Sequence, residues 1–439
     1  MLSNEISFKS RCRSLWLSGA IAVLLQQGLM RALVGIKFLL IARILGPAAV
    51  GTVGIALLVL AIAEAVSDTG VGQAIVQKAA PPSNTELGAT WSLLILRGLS
   101  IGILMVALAP LLSRQFHVPG AMPLLLGTAA VPVLRGFASP CLSVWARDRQ
   151  FSRIAILECC TAALDFTLAL TGALLGMGVY AVLGAMIFSE LVRSITLFIM
   201  SNPACRPNLR LGAIKHYTVY SRWIWADSVA NGLLLNQFDR VVVGKWFGPV
   251  SLGVYQMTSK LSQMLLFDFL YAAAQYLFPT FSSQFRRSHE EAYHAFRRYI
   301  VVIVIGITVV FVYAQISASM IITVLLGPSW ENSTPFFRLA MIGTAFRGVG
   351  TVVTAYLRAT NRPGIVTQSL VAQICVLLVA VPTGGYCWGL NGVIAGLVPG
   401  AFVSTAWMLW ASFRPYKAAR GIELGQSQMT HPVGDATDP

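Results

Sequence analysis

The stretch ARILGPAAVG, Ala42 to Gly51, interrupts two long apolar runs with an arginine and a Gly-Pro pair. Beyond the middle of the chain the interruption returns as GKWFGPVSLG, Gly244 to Gly253. In each copy a basic residue is followed by two apolar residues, Gly-Pro, three more residues and a glycine. The two copies are 202 positions apart, Gly248 against Gly46. Proline lacks the N–H that would continue a helix, so each Gly-Pro reads as a tight turn between two helices.

The runs on either side place the chain in a membrane. Of 439 residues, 56% are hydrophobic and 11% charged, against roughly 25% charged in soluble domains. Mean hydropathy is +0.71. Apolar runs of about 20 residues, each long enough to cross a hydrocarbon core as a helix, recur along the chain. Twelve spans are predicted, at 15–41, 48–67, 87–112, 121–145, 153–175, 178–200, 221–244, 250–277, 299–325, 334–357, 365–383 and 390–412. All ten tryptophans, Trp330 among them, fall near span ends or in connections, where the amphipathic indole ring favours the membrane interface.

Net charge is +15, and its distribution says more than its size. Basic clusters follow every second span: Lys9, Arg11 and Arg13; Arg147, Arg149 and Arg153; Arg206, Arg210, Lys215 and Arg222; Arg286, Arg287, Arg297 and Arg298; Arg358 and Arg362; Arg414, Lys417 and Arg420. The intervening connections hold little beyond Arg43, Arg114 and Lys245. By the positive-inside rule the clustered connections and both termini are cytoplasmic, which requires an even number of crossings. A nucleic-acid-binding patch would not alternate with the spans, so no nucleic-acid partner is expected. The first run has a basic flank like a signal peptide, but it continues through Gln26, Gln27, Arg31 and Lys37 with no hydrophilic domain after it, and reads as the first span.

Six spans separate the two Gly-Pro copies, so the halves have the same orientation, as parallel repeats about an axis along the membrane normal. The expected fold is all-α, an integral membrane protein of about twelve transmembrane helices in two six-helix lobes around a central cavity. Its expected organisation is a cytoplasmic N-terminus at 1–14, an N-lobe at 15–200, a linker at 201–220, a C-lobe at 221–412 and a cytoplasmic tail at 413–439. A third Gly-Pro, Gly327-Pro328, lies outside this register. In SSQFRRSHEEAYHAFRR, aromatic residues near helical spacing among charges read as an amphipathic helix on the inner surface.

A catalytic or metal constellation is not found. The five histidines lie in connections or the tail, the seven cysteines have no metal spacing, and no cofactor is read. The informative residues are charges within spans. Arginine at mid-bilayer costs about 2.5–3.5 kcal/mol on the insertion scale, so Arg31, Arg97, Arg135 and Arg347 face protein or water. Either they form buried ion pairs that fix helix packing, or they line a water-filled cationic cavity. Three of the four belong to the first half, so the cationic surface should be asymmetric between lobes. Arg193, Arg240 and Lys260 are also intramembrane, with Glu190 one turn before Arg193 and Asp239 beside Arg240. Glu158 and Asp165, seven apart, share a helix face, as do Glu64 and Asp68, four apart. Glu158, Asp165 and Asp239 are candidates for ion coupling or for pairing with these bases.

ARILGPAAVGTVGIALLVLAIAEAVSDTGVGQAIVQ, WARDRQFSRIAILECCTAAL, NQFDRVVVGKWFGPVSLGVYQMTSKLSQM and LLGPSWENSTPFFRLAMIG resemble, in order, the polysaccharide transporters that flip lipid-linked oligosaccharides, within the multidrug/oligosaccharidyl-lipid/polysaccharide exporter superfamily. The resemblance covers about residues 15–410. It implies two lobes facing each other across a V-shaped cavity, rocking between inward- and outward-open states. The implied substrate is an undecaprenyl-diphosphate-linked oligosaccharide moved across the bacterial inner membrane for O-antigen, capsule or exopolysaccharide assembly. The implied partners are membrane lipids, a polysaccharide polymerase and chain-length machinery. Many members carry two further C-terminal helices, and this chain reads as stopping at twelve. Arginine offers a donor fork suited to phosphate oxygens, so the four central arginines are the expected diphosphate ligands. Acids and aromatics would instead dominate the cavity of a multidrug antiporter, and a polysaccharide polymerase or ligase would carry a large outer loop.

Overall fold

A bilayer core offers no water to backbone N–H and C=O groups, so apolar runs satisfy them internally as helices. The computed structural model describes residues 2–414 except 79, 117, 202–204, 211 and 213–217, with side chains from residue 28 except at 29, 119, 218–221 and 223. Among the described residues the regular structure is helical and no strand occurs. Eight helical runs are long and apolar enough to cross a membrane, and the bent run 122–147 makes a ninth. Three of the nine are broken at glycine: Leu2–Val66 at Gly46, the run 218–285 at Gly248, and Pro363–Phe413 at Trp388-Gly389. The described residues therefore form twelve spanning helices.

In chain order these are α1 and α2 (either side of Gly46 in Leu2–Val66), α3 (Asn84–Gln115), α4 (the bent run 122–147), α5 (Phe151–Leu174) and α6 (Val179–Ile199). The second half comprises α7 and α8 (either side of Gly248 in 218–285), α9 (His289–Ile316), α10 (Thr334–Ala359), and α11 and α12 (either side of Trp388-Gly389 in Pro363–Phe413). At Gly46 the chain reverses. Arg31 and Gly35, before the break, and Gly54, after it, all lie along α8, beside Asp268, Met264 and Gln256.

The repeat expected from the two Gly-Pro copies is present in the backbone. Gly46 has φ 76° and ψ 176°, and Gly248 has φ 78° and ψ −176°, a left-handed region that glycine enters without steric cost. The α5–α6 and α11–α12 turns match as well, through Gly178 (φ 57°, ψ −133°) and Gly389 (φ 62°, ψ −143°). Two lobes result, α1–α6 and α7–α12. They meet through α1 and α2 of one and α7 and α8 of the other.

The lobes touch at both ends. At the Gly-Pro end, Gly51 lies against the Pro249 carbonyl and Gly253 against that of Pro47. There the third Gly-Pro finds its place: Gly327 opens a turn in which fully buried Trp330 donates from Nε1 to Ala42 O at 3.0 Å, and Arg43 donates to Val324 O at 2.6 Å. At the opposite end Trp225 Nε1 donates to Val66 O at 2.7 Å and Ser228 Oγ to Asp68 Oδ2 at 2.6 Å.

Several local expectations are corrected. The first helix runs back to Leu2 rather than starting at 15, because a helix needs backbone hydrogen bonds and not an apolar surface, and it continues past the apolar run. The segment read as a surface helix joins the end of α8, at Phe285, to the first part of α9, from His289. Its Phe296 is fully buried, stacked on Tyr356 at 4.1 Å between ring centroids, so the aromatic spacing reflects core packing. Trp330 lies in a connection, as expected, but it is fully buried in the protein, where the Ala42 carbonyl meets its N–H. Asp68 does not share a helix face with Glu64, because α2 ends at Val66 and Asp68 turns back to accept from Gly70 N. The fourth span is broken at 138–140, where Pro140 starts a new turn. The expected N-terminal and tail basic residues Lys9, Arg11, Arg13, Lys417 and Arg420 lie outside the described side chains.

Candidate functional site

The intramembrane charges fall into two groups with opposite character. In the N-lobe, Arg135 on α4 is clamped between Glu64 on α2, at 2.6 Å, and Glu190 on α6, at 2.7 Å. Arg193 meets Glu158 on α5 at 2.9 Å and Glu190 at 3.5 Å. Arg97 donates to Glu64 O at 3.0 Å and to the hydroxyl of Ser67 at 3.2 Å, placing a cation at the C-terminus of α2. Lys37 on α1 meets Asp165 on α5 at 2.5 Å. Every acid in this group is matched by a base. The cavity that Glu64, Arg97 and Arg135 line measures only about 50 Å³.

In the C-lobe the balance tips toward base. A cavity of about 250 Å³ is lined by Asp239, Arg240, Tyr255, Lys260 and Arg347 among others. The neighbouring acid does not neutralise Arg240. Side chains adjacent in sequence diverge by about 100° on a helix, and Asp239 instead accepts from Tyr255 OH, while Arg240 donates to Gln237 at 3.3 Å. The other carboxylate oxygen of Asp239 is buried without a partner. Neither Lys260 nor Arg347 has a carboxylate within 4 Å among the described residues.

The cluster extends across the lobe boundary on α8. There the π-helical turn Gln263–Phe267 leads into Asp268, and such turns occur often at functional sites. Arg31 of α1 donates to Asp268 Oδ1 at 2.9 Å and lies 4.4 Å from the Tyr271 ring centroid. Arg347 of α10 lies 5.5 Å from the Phe267 ring, and the Phe267 and Tyr271 centroids are 6.2 Å apart. Two arginines from opposite lobes thus stand on neighbouring aromatic rings. A second cavity of about 170 Å³ adjoins the first, sharing Phe267, Arg347 and Gln373, and adds the hydroxyls of Thr351, Thr354, Ser369, Ser404 and Thr405. Chemically, this arrangement offers donors to an anion beside a hydroxyl and amide surface suited to sugars.

The sequence signature of the polysaccharide biosynthesis protein family matches residues 40–335, more than half of the chain. The chain belongs to that family. It is similar to the lipopolysaccharide biosynthesis protein WzxC of Escherichia coli K12, 21% identical over 403 residues, covering 91% of this chain and 80% of the relative. The succinoglycan biosynthesis transport protein ExoT of Rhizobium meliloti is 25% identical over 381 residues, covering 86% of this chain and 73% of the relative. Among solved structures the fold is similar to the lipid II flippase MurJ in its inward closed conformation, with TM-score 0.71 and 13% identity, covering 90% of this chain and 87% of that one.

In this member of the polysaccharide biosynthesis family, then, the four arginines singled out by sequence do not converge. Arg31 and Arg347 join the α8 cluster, while Arg97 and Arg135 belong to the neutralised N-lobe network. The asymmetry expected from three arginines in the first half is reversed: among the described residues the N-lobe bases Arg135, Arg193 and Lys37 meet carboxylates, and the uncompensated charge is in the C-lobe. Glu158 and Asp165 face different neighbours, Arg193 and Lys37, although they share one face of α5. Sequence reasoning missed Asp268, Phe267 and Tyr271, and it assigned Arg240 a partner that it does not have. One signal was legible: Asp268 is an acid inside an apolar run with no base three or four residues away.

Proposed function

We propose that this protein flips undecaprenyl-diphosphate-linked oligosaccharide repeat units across the bacterial inner membrane by alternating access, supplying O-antigen, capsule or exopolysaccharide assembly. The observation that carries the reading is the excess of base over acid at the C-lobe cavity, directly beside a hydroxyl-lined one. Membership of a polysaccharide biosynthesis family and a fold shared with a lipid II flippase support it. In this reading Arg31, Arg240, Lys260 and Arg347 hold the diphosphate, and the threonines and serines around Thr351 and Ser404 contact the glycan. Arg97 and Arg135 stiffen the N-lobe wall of the route through their carboxylate partners. Asp239, which has no base within 4 Å among the described residues, is the coupling carboxylate, whereas Glu158 and Asp165, each paired with a base, are structural.

Both termini are cytoplasmic, the product is handed to a polymerase and chain-length machinery, and the chain performs no covalent chemistry. A cavity carrying three bases to one acid repels cationic drugs, so the multidrug-antiporter alternative gains no support from it. The test is flipping by the purified protein in liposomes. Fluorescent polyprenyl-diphosphate oligosaccharide placed in both leaflets should become fully reducible by external dithionite. Only the outer-leaflet half should react in empty vesicles, and a protein-containing sample that stops at the same half rejects the proposal.

A further inference from the structure

Asp268 holds one of the cations that the flippase reading assigns to the cargo. It lies on α8 of the C-lobe, yet its bonded partner is Arg31 of the N-lobe, so this pair is an ionic tie across the lobe boundary. Lys260, on the same helix, is within electrostatic reach of Asp268, Arg31 and Arg240. The tie is not sealed in the core: the Arg31 side chain is 37% exposed and that of Asp268 19%. It is also singly bonded, one guanidinium N–H to one carboxylate oxygen, although the guanidinium carries five donors in a fork. The Tyr271 ring, its centroid 4.4 Å from the Arg31 guanidinium carbon, gives Arg31 a contact that does not depend on the carboxylate.

From this geometry we infer that Asp268 is a resident counter-anion that the cargo displaces, so that diphosphate binding itself unties α1 from α8. The inference rests on the flippase reading above and adds a positioning residue to it. Stripping Arg31 of its counter-anion costs their mutual attraction, whereas exchanging one anion for another does not. A carboxylate therefore closes the empty carrier without locking it. A diphosphate with more charge and more acceptor oxygens engages Arg31, Lys260 and Arg347 together, and Asp268 is expelled by like charge. The tie is then lost only when cargo is present, which couples loading to separation of the lobes. Asp239 cannot take this part, because its bond partner Tyr255 belongs to the same lobe.

The test uses the full chain in detergent, with farnesyl diphosphate as the probe. Asp268→Asn keeps the shape and removes the competing charge, so it should bind the probe at least tenfold more tightly than the unsubstituted protein. Asp268→Glu should restore the original affinity, and Arg31→Gln should weaken it. Hydrogen exchange supplies a second readout. The segments 30–36 and 263–271 should lose protection on adding probe to the unsubstituted protein, and should already be unprotected in Asp268→Asn without it. A merely structural pair predicts that Asp268→Asn binds with equal or lower affinity, and that result, with the unsubstituted protein still binding, overturns the counter-anion role alone. If neither protein binds the diphosphate, the flippase reading falls and the inference falls with it.

Discussion

Gly51 and Gly253, 202 positions apart, occupy equivalent places in the two halves, and each packs on the carbonyl of the other half's proline: Gly51 on Pro249, Gly253 on Pro47. The contact is self-complementary, as at an isologous two-fold interface, although one chain supplies both sides. The internal two-fold axis of the molecule passes between these glycines. Small residues at such a crossing let two helix backbones approach closely where no hydrophobic force distinguishes protein from lipid.

Gly51→Ala and Gly253→Ala should therefore be similarly harmful. A methyl group at either position runs into backbone carbonyl atoms that have no rotamer to escape through. Overpacking of this kind costs about 1–3 kcal/mol. The midpoint of thermal unfolding in detergent should fall in both, while Gly306→Ala, inside a helix where a methyl would meet nothing within 4 Å, should not lower it.

The two charge groups should respond oppositely to neutralisation. Arg135→Ala leaves Glu64 without its base and Glu190 with Arg193 alone, at 3.5 Å, a loss of about 1 kcal/mol for half-buried partners. It should lower thermal stability and the amount of protein reaching the membrane. Lys260→Ala and Arg347→Ala remove bases that no carboxylate neutralises within 4 Å, so stability should hold. Flipping in liposomes should drop about tenfold, equivalent to roughly 1.4 kcal/mol of lost interaction. Equal loss of stability in all three variants would refute the division into a structural N-lobe network and a binding C-lobe cluster.

Trp330 tests the closure at the Gly-Pro end. Trp330→Phe keeps most of the buried ring and removes only the N–H given to Ala42 O, and should cost about 1 kcal/mol. Trp330→Ala should cost about 3–5 kcal/mol, because a fully buried aromatic leaves a cavity. Urea or thermal melts of the two variants would separate these contributions, and equal destabilisation would mean that the hydrogen bond, not the packing, holds this end together.

Much of the fold was legible along the chain. Hydropathy marked twelve spans, and the described residues form twelve spanning helices. One ten-residue motif repeated at an offset of 202 revealed the duplication, because a Gly-Pro turn is a local property of two residues and needs no knowledge of their neighbours. The membrane setting and the intramembrane cost of each arginine followed from composition and position alone, and so did the conclusion that these arginines must meet protein or water.

Which of those two each one meets was decided only by the tertiary structure. Arg135 sits between Glu64 and Glu190, 71 and 55 residues away, and Arg31 reaches Asp268 across 237. Meanwhile Arg240, with an acid as its immediate neighbour, goes without it because a helix turns the two side chains apart. A charge in lipid announces that it needs a partner, but the partner is chosen by which helices pack together. That choice, made at distances no local pattern records, separates the arginines that meet a carboxylate from those that do not.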